Sequence, residues 1–270
     1  MTNIDRAFVG SIPAVYDRYM RPLIFEPYAQ DLAQRMGTLR HHTILETAAG
    51  TGVVTAALAA KLQPGEKLLA TDLNPAMLAV AEAAIHEAAV SFQPADALSL
   101  PFESDSFDLV VCQFGIMFFP DKLAGCREAF RVLNKRGTFL FNVWDTLEFN
   151  ELASVANATI AKMFPDNPSH FMARTPHGYN DVHGIKATLE AAGFTHVTAD
   201  IVPKRSHAPS ARDAAVGYCQ GTPMRNEIES RQAGKLEEAT DRCEAAFREK
   251  FGTGPIDTLI QAIIFTAKKS

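Results

Sequence analysis

Residues 44 to 52 read ILETAAGTG. A carboxylate, Glu46, closes an apolar run, and a turn of small residues follows, with glycines at 50 and 52. Such glycines take backbone angles closed to other residues and let a ligand approach the main chain. A pyrophosphate is one ligand that uses bare amides of this kind. Its fingerprint, GxGxxG, would need glycines at 48, 50 and 53, where the chain has Ala48, Gly50 and Val53. Glu46 would also lie near the phosphates and repel them. A cationic ligand fits better, because a carboxylate can face an ammonium or accept its hydrogen bonds.

Other residues with chemical potential are scattered. His177 and His183 are six apart, a spacing that matches no helical ligand pair and no zinc motif, so no metal is expected. His170 and His177 lie in a Pro- and Asn-rich stretch and are candidates for a general base, but the sequence does not choose a catalytic residue. The four cysteines form no CxxC pair, and Cys112, inside an apolar run, reads as a buried free thiol.

The elements that must position these groups follow from pattern. Strands are expected at 43–47, 67–72, 90–96, 106–114 and 137–144, with helices at 53–62, 74–88 and 121–133 between them. Asn74 is placed to cap the second of these helices and Pro75 to start it. Strand and helix alternating at this spacing imply βαβ units and a doubly wound, mostly parallel α/β sheet covered on both faces. In such sheets ligands bind beyond the carboxyl ends of the strands, which puts the 48–52 turn in the right place. After Trp144 the rhythm breaks. Residues 146–163 read as helix, 164–181 as a long loop, 181–194 as helix, 196–202 as strand, 210–250 as mainly helical and 258–269 as a final strand.

Composition bounds the function classes. The chain has 270 residues, 47% hydrophobic and 21% charged, with net charge −5 and no basic stripe, which disfavours a nucleic-acid partner. The longest near-apolar run, 109–119, is too short to span a bilayer. A cytoplasmic location and a monomer or homodimer are expected.

At residues 44–52 the sequence resembles motif I of the class I S-adenosylmethionine (SAM) dependent methyltransferases, with Ala48 where the first glycine is usual. Asp72, 26 residues after Glu46, matches the acidic residue that ends the second strand. PADALSLPFESDSFDLVV (94–111) is similar to a segment of the Ubie/menaquinone-methyltransferase-like (Methyltransferase type 11) branch. CQFGIMFFPD (112–121) and FRVLNKRGTFLF (130–141) match later motifs, with Asn134, Lys135 and Arg136 where Lys-Pro-Gly is usual. The resemblance implies a Rossmann-like seven-stranded sheet with helical cap insertions, SAM as cofactor and S-adenosylhomocysteine as its product. It implies a SAM site made of Glu46, Thr47, Ala48, Gly50, Gly52, Asp72, Leu73, Met77, Asp96, Ala97, Leu98, Gln113 and Phe114. Within it, Asp72 would accept from the ribose hydroxyls, Asp96 from the adenine amino group, and Leu73 and Met77 would pack near the ring. Gln113 and Phe114 would face the methionine part. Residues 15–29 resemble the family's N-terminal lid helices, with Tyr16 or Tyr19 able to close over SAM.

The implied organisation is a lid at 1–36, a methyltransferase core at 37–145, 181–204 and 256–270, and helical insertions at 146–180 and 205–255. Substrate choice is expected outside the core, from segments 8–36, 146–180 and 205–255. The implied reaction is methyl transfer to a small-molecule O- or C-nucleophile. Three other readings compete: a catalytically silent SAM-fold partner, a nicotinamide-dependent reductase, and an RNA methyltransferase, the last disfavoured because CQFGIMFF stands where an Asn/Asp-Pro-Pro-Tyr/Phe motif would be expected. The reductase reading is weakened because no tyrosine is followed four residues later by lysine.

Overall fold

Strands buried on both faces need not alternate apolar and polar residues, and the apolar runs of this chain build a sheet of that kind. The computed structural model describes residues 12–270. Residues 1–11, including the start of the expected lid, lie outside the described residues. The strands are β1 (Thr43–Thr47), β2 (Lys67–Asp72), β3 (Val90–Pro94), β4 (Phe107–Gln113), β5 (Leu133–Trp144), β6 (Thr195–Ala208) and β7 (Ile256–Lys268). They form one seven-stranded sheet in the order β3-β2-β1-β4-β5-β7-β6. Pairing is parallel from β3 to β5, and β7 runs antiparallel to β5, with Trp144 opposite Ala262. The mostly parallel α/β sheet expected from the sequence is therefore present. Its strand order reverses between β1 and β4, the position at which doubly wound sheets open a ligand crevice.

The helices are α1 (Ile12–Val15), α2 (Glu26–Met36), α3 (Val53–Ala59), α4 (Pro75–Ala84), α5 (Lys122–Val132), α6 (Glu151–Met163), α7 (Phe171–Arg174), α8 (Val182–Ala192), α9 (Ala211–Gln220), α10 (Met224–Arg231) and α11 (Leu236–Phe251). Between α1 and α2, residues Tyr16–Phe25 form a wider π-helix that contains Pro22. Proline has no amide to give to the usual ladder, which favours such a widened turn. Asn74 caps α4 by accepting from the Ala76 amide at 3.0 Å, with Pro75 at its first position. Asp121 caps α5 through the Ala124 amide at 2.9 Å.

Several boundaries differ from expectation: β5 starts at Leu133 rather than 137, α3 ends at Ala59 rather than 62, and β3 ends at Pro94 rather than 96. Helix α4 ends at Ala84 rather than 88, because Ile85 turns extended (φ −121°) and packs beneath Gly52. The stretch 164–181 holds the short helix α7, and β6 runs on to Ala208.

The chain divides into two units. The sheet unit comprises Tyr28–Trp144, Tyr179–Val202 and Ala262–Ser270. Its core joins Leu45, Val110, Phe139, Phe141 and Phe265 of the strands to Ala129 of α5 and Leu189 of α8. Phe141 and Phe265 stack at 5.0 Å. At the amino end of β1, Asp108 accepts from the His42 amide, the Thr43 amide and hydroxyl, and Asn134 Nδ2. Burial opposes its charge, but these bonds win and hold its pKa below the usual carboxylate range.

The helical unit comprises the described residues through Pro27, Asp145–Gly178 and Pro203–Gln261. Its α9 and α11 pack together, with Tyr218 and Phe247 edge to face at 6.3 Å. Glu227, on α10, is buried and accepts from Arg174, Arg231 and Ser169. Relative to the expected boundaries, residues 28–36 lie with the sheet and 256–261 with the helices.

Candidate cofactor site

Strand β1 ends at Thr47, and the chain must turn sharply to start α3 on the other side of the glycines. Ala48, Gly50 and Gly52 all take positive φ, at 54°, 59° and 83°. For Gly52 the reason is also steric: a Cβ there would come within 2.8 Å of both Ala81 Cβ and Ile85 Cδ1. Gly50 has more room, with Met77 Cε at 3.6 Å from where a Cβ would stand. Ala48 carries its methyl in a conformation that L-residues rarely adopt. Space for that methyl is made by Gly115, whose own Cβ would lie 2.4 Å from it. The sequence shows Ala48 as a departure from the motif, and the structure shows the glycine that accommodates it.

Asp72 ends β2 beside this turn. One carboxylate oxygen accepts from the Gly50 amide at 2.8 Å and the other from the Asn74 amide at 2.7 Å. Burial raises its pKa, against the pull of those two amides. The side-chain cap of α4 is Asn74, not Asp72. Leu73, next in the chain, leaves its side chain 59% exposed, one of three large apolar residues left so among the described residues. Met77 is buried beneath the turn. After β3, Asp96 is exposed and accepts from the Leu98 amide at 2.9 Å, which folds Ala97 and Leu98 back as a half-buried shelf.

Glu46 is 1% exposed, and Thr55 Oγ1 of α3 donates to its Oε2 at 2.7 Å. Burial pushes its pKa up to about 8, with the Asp72 charge adding to the rise and Thr55 opposing it. Thr47 is buried beside it. At the end of β4, Gln113 Oε1 lies 3.5 Å from Asn142 Nδ2, and the Phe114 amide donates to Asn142 Oδ1 at 2.9 Å. Phe114 has φ 50°, and its ring lies flat on Trp144 at 3.8 Å, with Tyr28 edge-on at 5.4 Å. Its ring is thus packed against two other aromatic rings.

Two residues were not foreseen. Thr55 stands nine residues after Glu46, and the signal for it was a hydroxyl three residues into the following helix. Asn142 showed itself as a polar residue within FLFNVW.

The remaining candidates lie in the helical unit. Arg18 sits over the Tyr19 ring at 5.1 Å, and Tyr16 stacks on Phe25 at 4.8 Å. His170 is exposed at the start of α7. His177 is buried, and its Nδ1–H donates to the Asp145 carbonyl at 2.7 Å. Burial lowers its pKa to about 4, so it is neutral and a weak base at neutral pH. Among the described residues no group of three His, Cys, Asp or Glu side chains is arranged to hold a metal. No described helix is long and apolar enough to cross a membrane.

A methyltransferase-domain family, Methyltransf_11, matches residues 45–141, the span that runs from the glycine turn through Asp72 and Asp96 into β5. A demethylmenaquinone methyltransferase of Clavibacter sepedonicus is 29% identical over 232 residues, covering 76% of this chain and 94% of that protein. These matches support a class I SAM-dependent methyltransferase of the UbiE/menaquinone-methyltransferase-like branch. A second demethylmenaquinone methyltransferase, from Lactococcus lactis, is 34% identical over 134 residues, 47% of this methyltransferase, which spans about half of that relative's length (53%). Among solved structures, phosphoethanolamine N-methyltransferase 2 of Haemonchus contortus, in complex with phosphomonomethylethanolamine and S-adenosylhomocysteine, shares the fold. It has a TM-score of 0.62 at 17% identity, over 98% of this methyltransferase and 59% of that chain.

Proposed function

We propose that this SAM-dependent methyltransferase acts on a small-molecule acceptor and methylates a carbon or oxygen nucleophile. The observation that carries the reading is the match to a demethylmenaquinone methyltransferase along 94% of that relative's length. It favours a ring carbon, activated by a neighbouring hydroxyl, as the nucleophile.

The sheet-unit residues suit SAM by physical criteria of their own. Asp72 fixes the turn through two amides, and its remaining lone pairs suit the two ribose hydroxyls. Charge-assisted bonds of that type contribute roughly 1.5–3 kcal/mol each. Leu73 offers an uncovered apolar surface to the adenine, and Asp96 an exposed carboxylate to its amino group. The glycine turn lets the amino-acid end approach the main chain, and Gln113 and the Phe114 backbone border the same strand ends. When bound, SAM supplies a methyl already activated on a sulfonium. The protein's part is to align nucleophile and methyl and to exclude water, and orientation of this sort lowers a barrier by roughly 7–11 kcal/mol. A carbon or phenolate nucleophile needs no strong base, which agrees with a neutral, bonded His177.

The test is release of S-adenosylhomocysteine by the purified protein with hydroquinones, phenols, catechols and amines in turn. Mass spectrometry then locates the added methyl. Turnover with hydroquinones or phenols supports the reading. Turnover with amines alone, or with nucleic acid or protein acceptors alone, would overturn it.

A further inference from the structure

The sheet unit carries a groove far from the glycine turn. Strands β7 and β6 lie three and four places from β1 in the sheet order, roughly 14–19 Å across the strands. Side chains alternate along a strand. Phe265 and Ala267 of β7, and Val197 and Ala199 of β6, pack into the core with Leu189 of α8. Thr266, Lys268, His196 and Thr198 therefore stand on the opposite face. There they line a groove of about 530 Å³, a volume that suits a small organic ligand. Leu140, paired with Thr266 across the strands, forms its floor, and Arg35, Thr38 and Leu39 at the end of α2 form its wall.

This groove is rich in hydrogen-bond donors. Among the described residues, the side chains of Lys268, His196, Thr198 and Thr266 have no hydrogen-bonding or ionic partner. The nearby carboxylates, Asp31 and Asp200, are each held by Arg35 at 2.6 Å. Those bonds use two of the five guanidinium N–H donors and leave Lys268 as a cation without a carboxylate of its own. The last carbonyls of a helix repel an anion, but here the Gly37, Thr38 and Leu39 amides take those of Ala33, Arg35 and Met36. His196 also departs from strand geometry: its φ is 50°, a left-handed angle that L-residues rarely adopt. Retained strain of that kind clusters where ligands are held.

We propose that this groove binds a phosphate monoester, with the phosphate on Lys268, His196 and the two threonine hydroxyls and the ester's apolar body on Leu39 and Leu140. A phosphate suits the donor set because it brings close to two negative charges and three acceptor oxygens, and lysine meets it as a point charge. The proposal is independent of the SAM-site reading above.

The experiment is proton NMR of the histidine ring signals of the full chain, with phenyl phosphate and inorganic phosphate as probes. His196→Asn, a residue that tolerates a left-handed backbone, identifies the His196 signal by its loss. Phenyl phosphate should move that signal at about 10 mM, where a 1 mM complex is largely filled. Inorganic phosphate should bind more weakly, because it leaves the two leucines uncovered. Lys268 is exposed, so Lys268→Gln should keep the wild-type Tm while weakening phenyl phosphate roughly 10-fold or more, the loss of one charge-assisted bond. Thr266→Val should weaken it by less. An unmoved His196 signal, or full affinity in Lys268→Gln, would overturn the proposal. Equal affinity for the two phosphates would overturn the assignment of an ester. Competition between phenyl phosphate and S-adenosylhomocysteine would place the ligand at the glycine turn and overturn the groove as its site.

Discussion

Gly115 invites a double-mutant cycle. Its own backbone, φ −97° and ψ −44°, is open to any residue, so only space requires glycine there. A Cβ would lie 2.4 Å from Ala48 Cβ and 2.8 Å from Cys112 Sγ. Gly115→Ala must therefore push the glycine turn and the β4 end apart, and overpacking of this kind costs about 1–3 kcal/mol. Ala48→Gly removes one of the clashing groups and leaves only a thiol, which can rotate. Taken alone, Ala48→Gly is close to neutral. It relieves a left-handed L-residue, worth roughly 1–2 kcal/mol. It also adds about 0.5–1 kcal/mol of chain entropy and gives up a methyl worth about 0.8 kcal/mol. The double variant should recover most of the loss, with a coupling of about 1–2 kcal/mol. At roughly 2–4 °C per kcal/mol, Gly115→Ala lowers Tm by about 2–12 °C and the double variant by less than half of that. Scanning calorimetry of the four proteins measures it. Additive effects, within about 0.5 kcal/mol, would refute the idea that these two positions share one space.

Three further outcomes are expected. Asp72→Asn should weaken SAM binding by roughly 10- to 150-fold, the loss of one charge-assisted bond; unchanged affinity would remove Asp72 from the site. His177 resists protonation in the fold down to pH about 4, whereas an unfolded histidine takes its proton near 6.5. Stability from this residue is thus full above about 6.5 and falls by about 1.4 kcal/mol per unit between 6.5 and 4. Urea unfolding of His177→Gln, which keeps a donor for Asp145, should show a shallower slope in that window. Glu227→Ala leaves Arg231, whose side chain is 12% exposed, without its carboxylate, and breaking such a pair should cost the helical unit about 3 kcal/mol. A loss below 0.5 kcal/mol in denaturant titration would show the cluster to be neutral.

The sheet was legible because β1, β2, β4 and β5 each carry a short apolar run, and because Asn74 and Asp121 mark where helices start. The strand-end position of Asp72 was legible for the same reason, whereas Asp96 lies two residues beyond β3, which ends at Pro94. Helix α4 was read too long since Ile85 keeps the apolar period while its backbone turns extended to reach Gly52. Spacing could not reveal what depends on contact across loops. The pairing of Ala48 with Gly115 spans 67 positions, from 48 to 115. Likewise, the burial that sets the Glu46 and His177 protonation states is a property of the folded surroundings. His177 was read as a loop residue and candidate base because it falls among Pro, Asn and Gly residues, yet its ring is buried and held on the Asp145 carbonyl.

Trp144 is the one tryptophan in the chain. It lies parallel to Phe114 at 3.8 Å, with Tyr28 edge-on to it at 5.5 Å. Phe114 in turn sits between Gln113 and Gly115, the glycine that faces Ala48 across the turn. Indole emission responds to the polarity and movement of its nearest neighbours. All tryptophan fluorescence of this enzyme therefore arises from the spot where the β4 end meets the glycine turn. A ligand held at the proposed site would be open to optical detection in the unlabelled protein, with no second indole in the chain to dilute the signal.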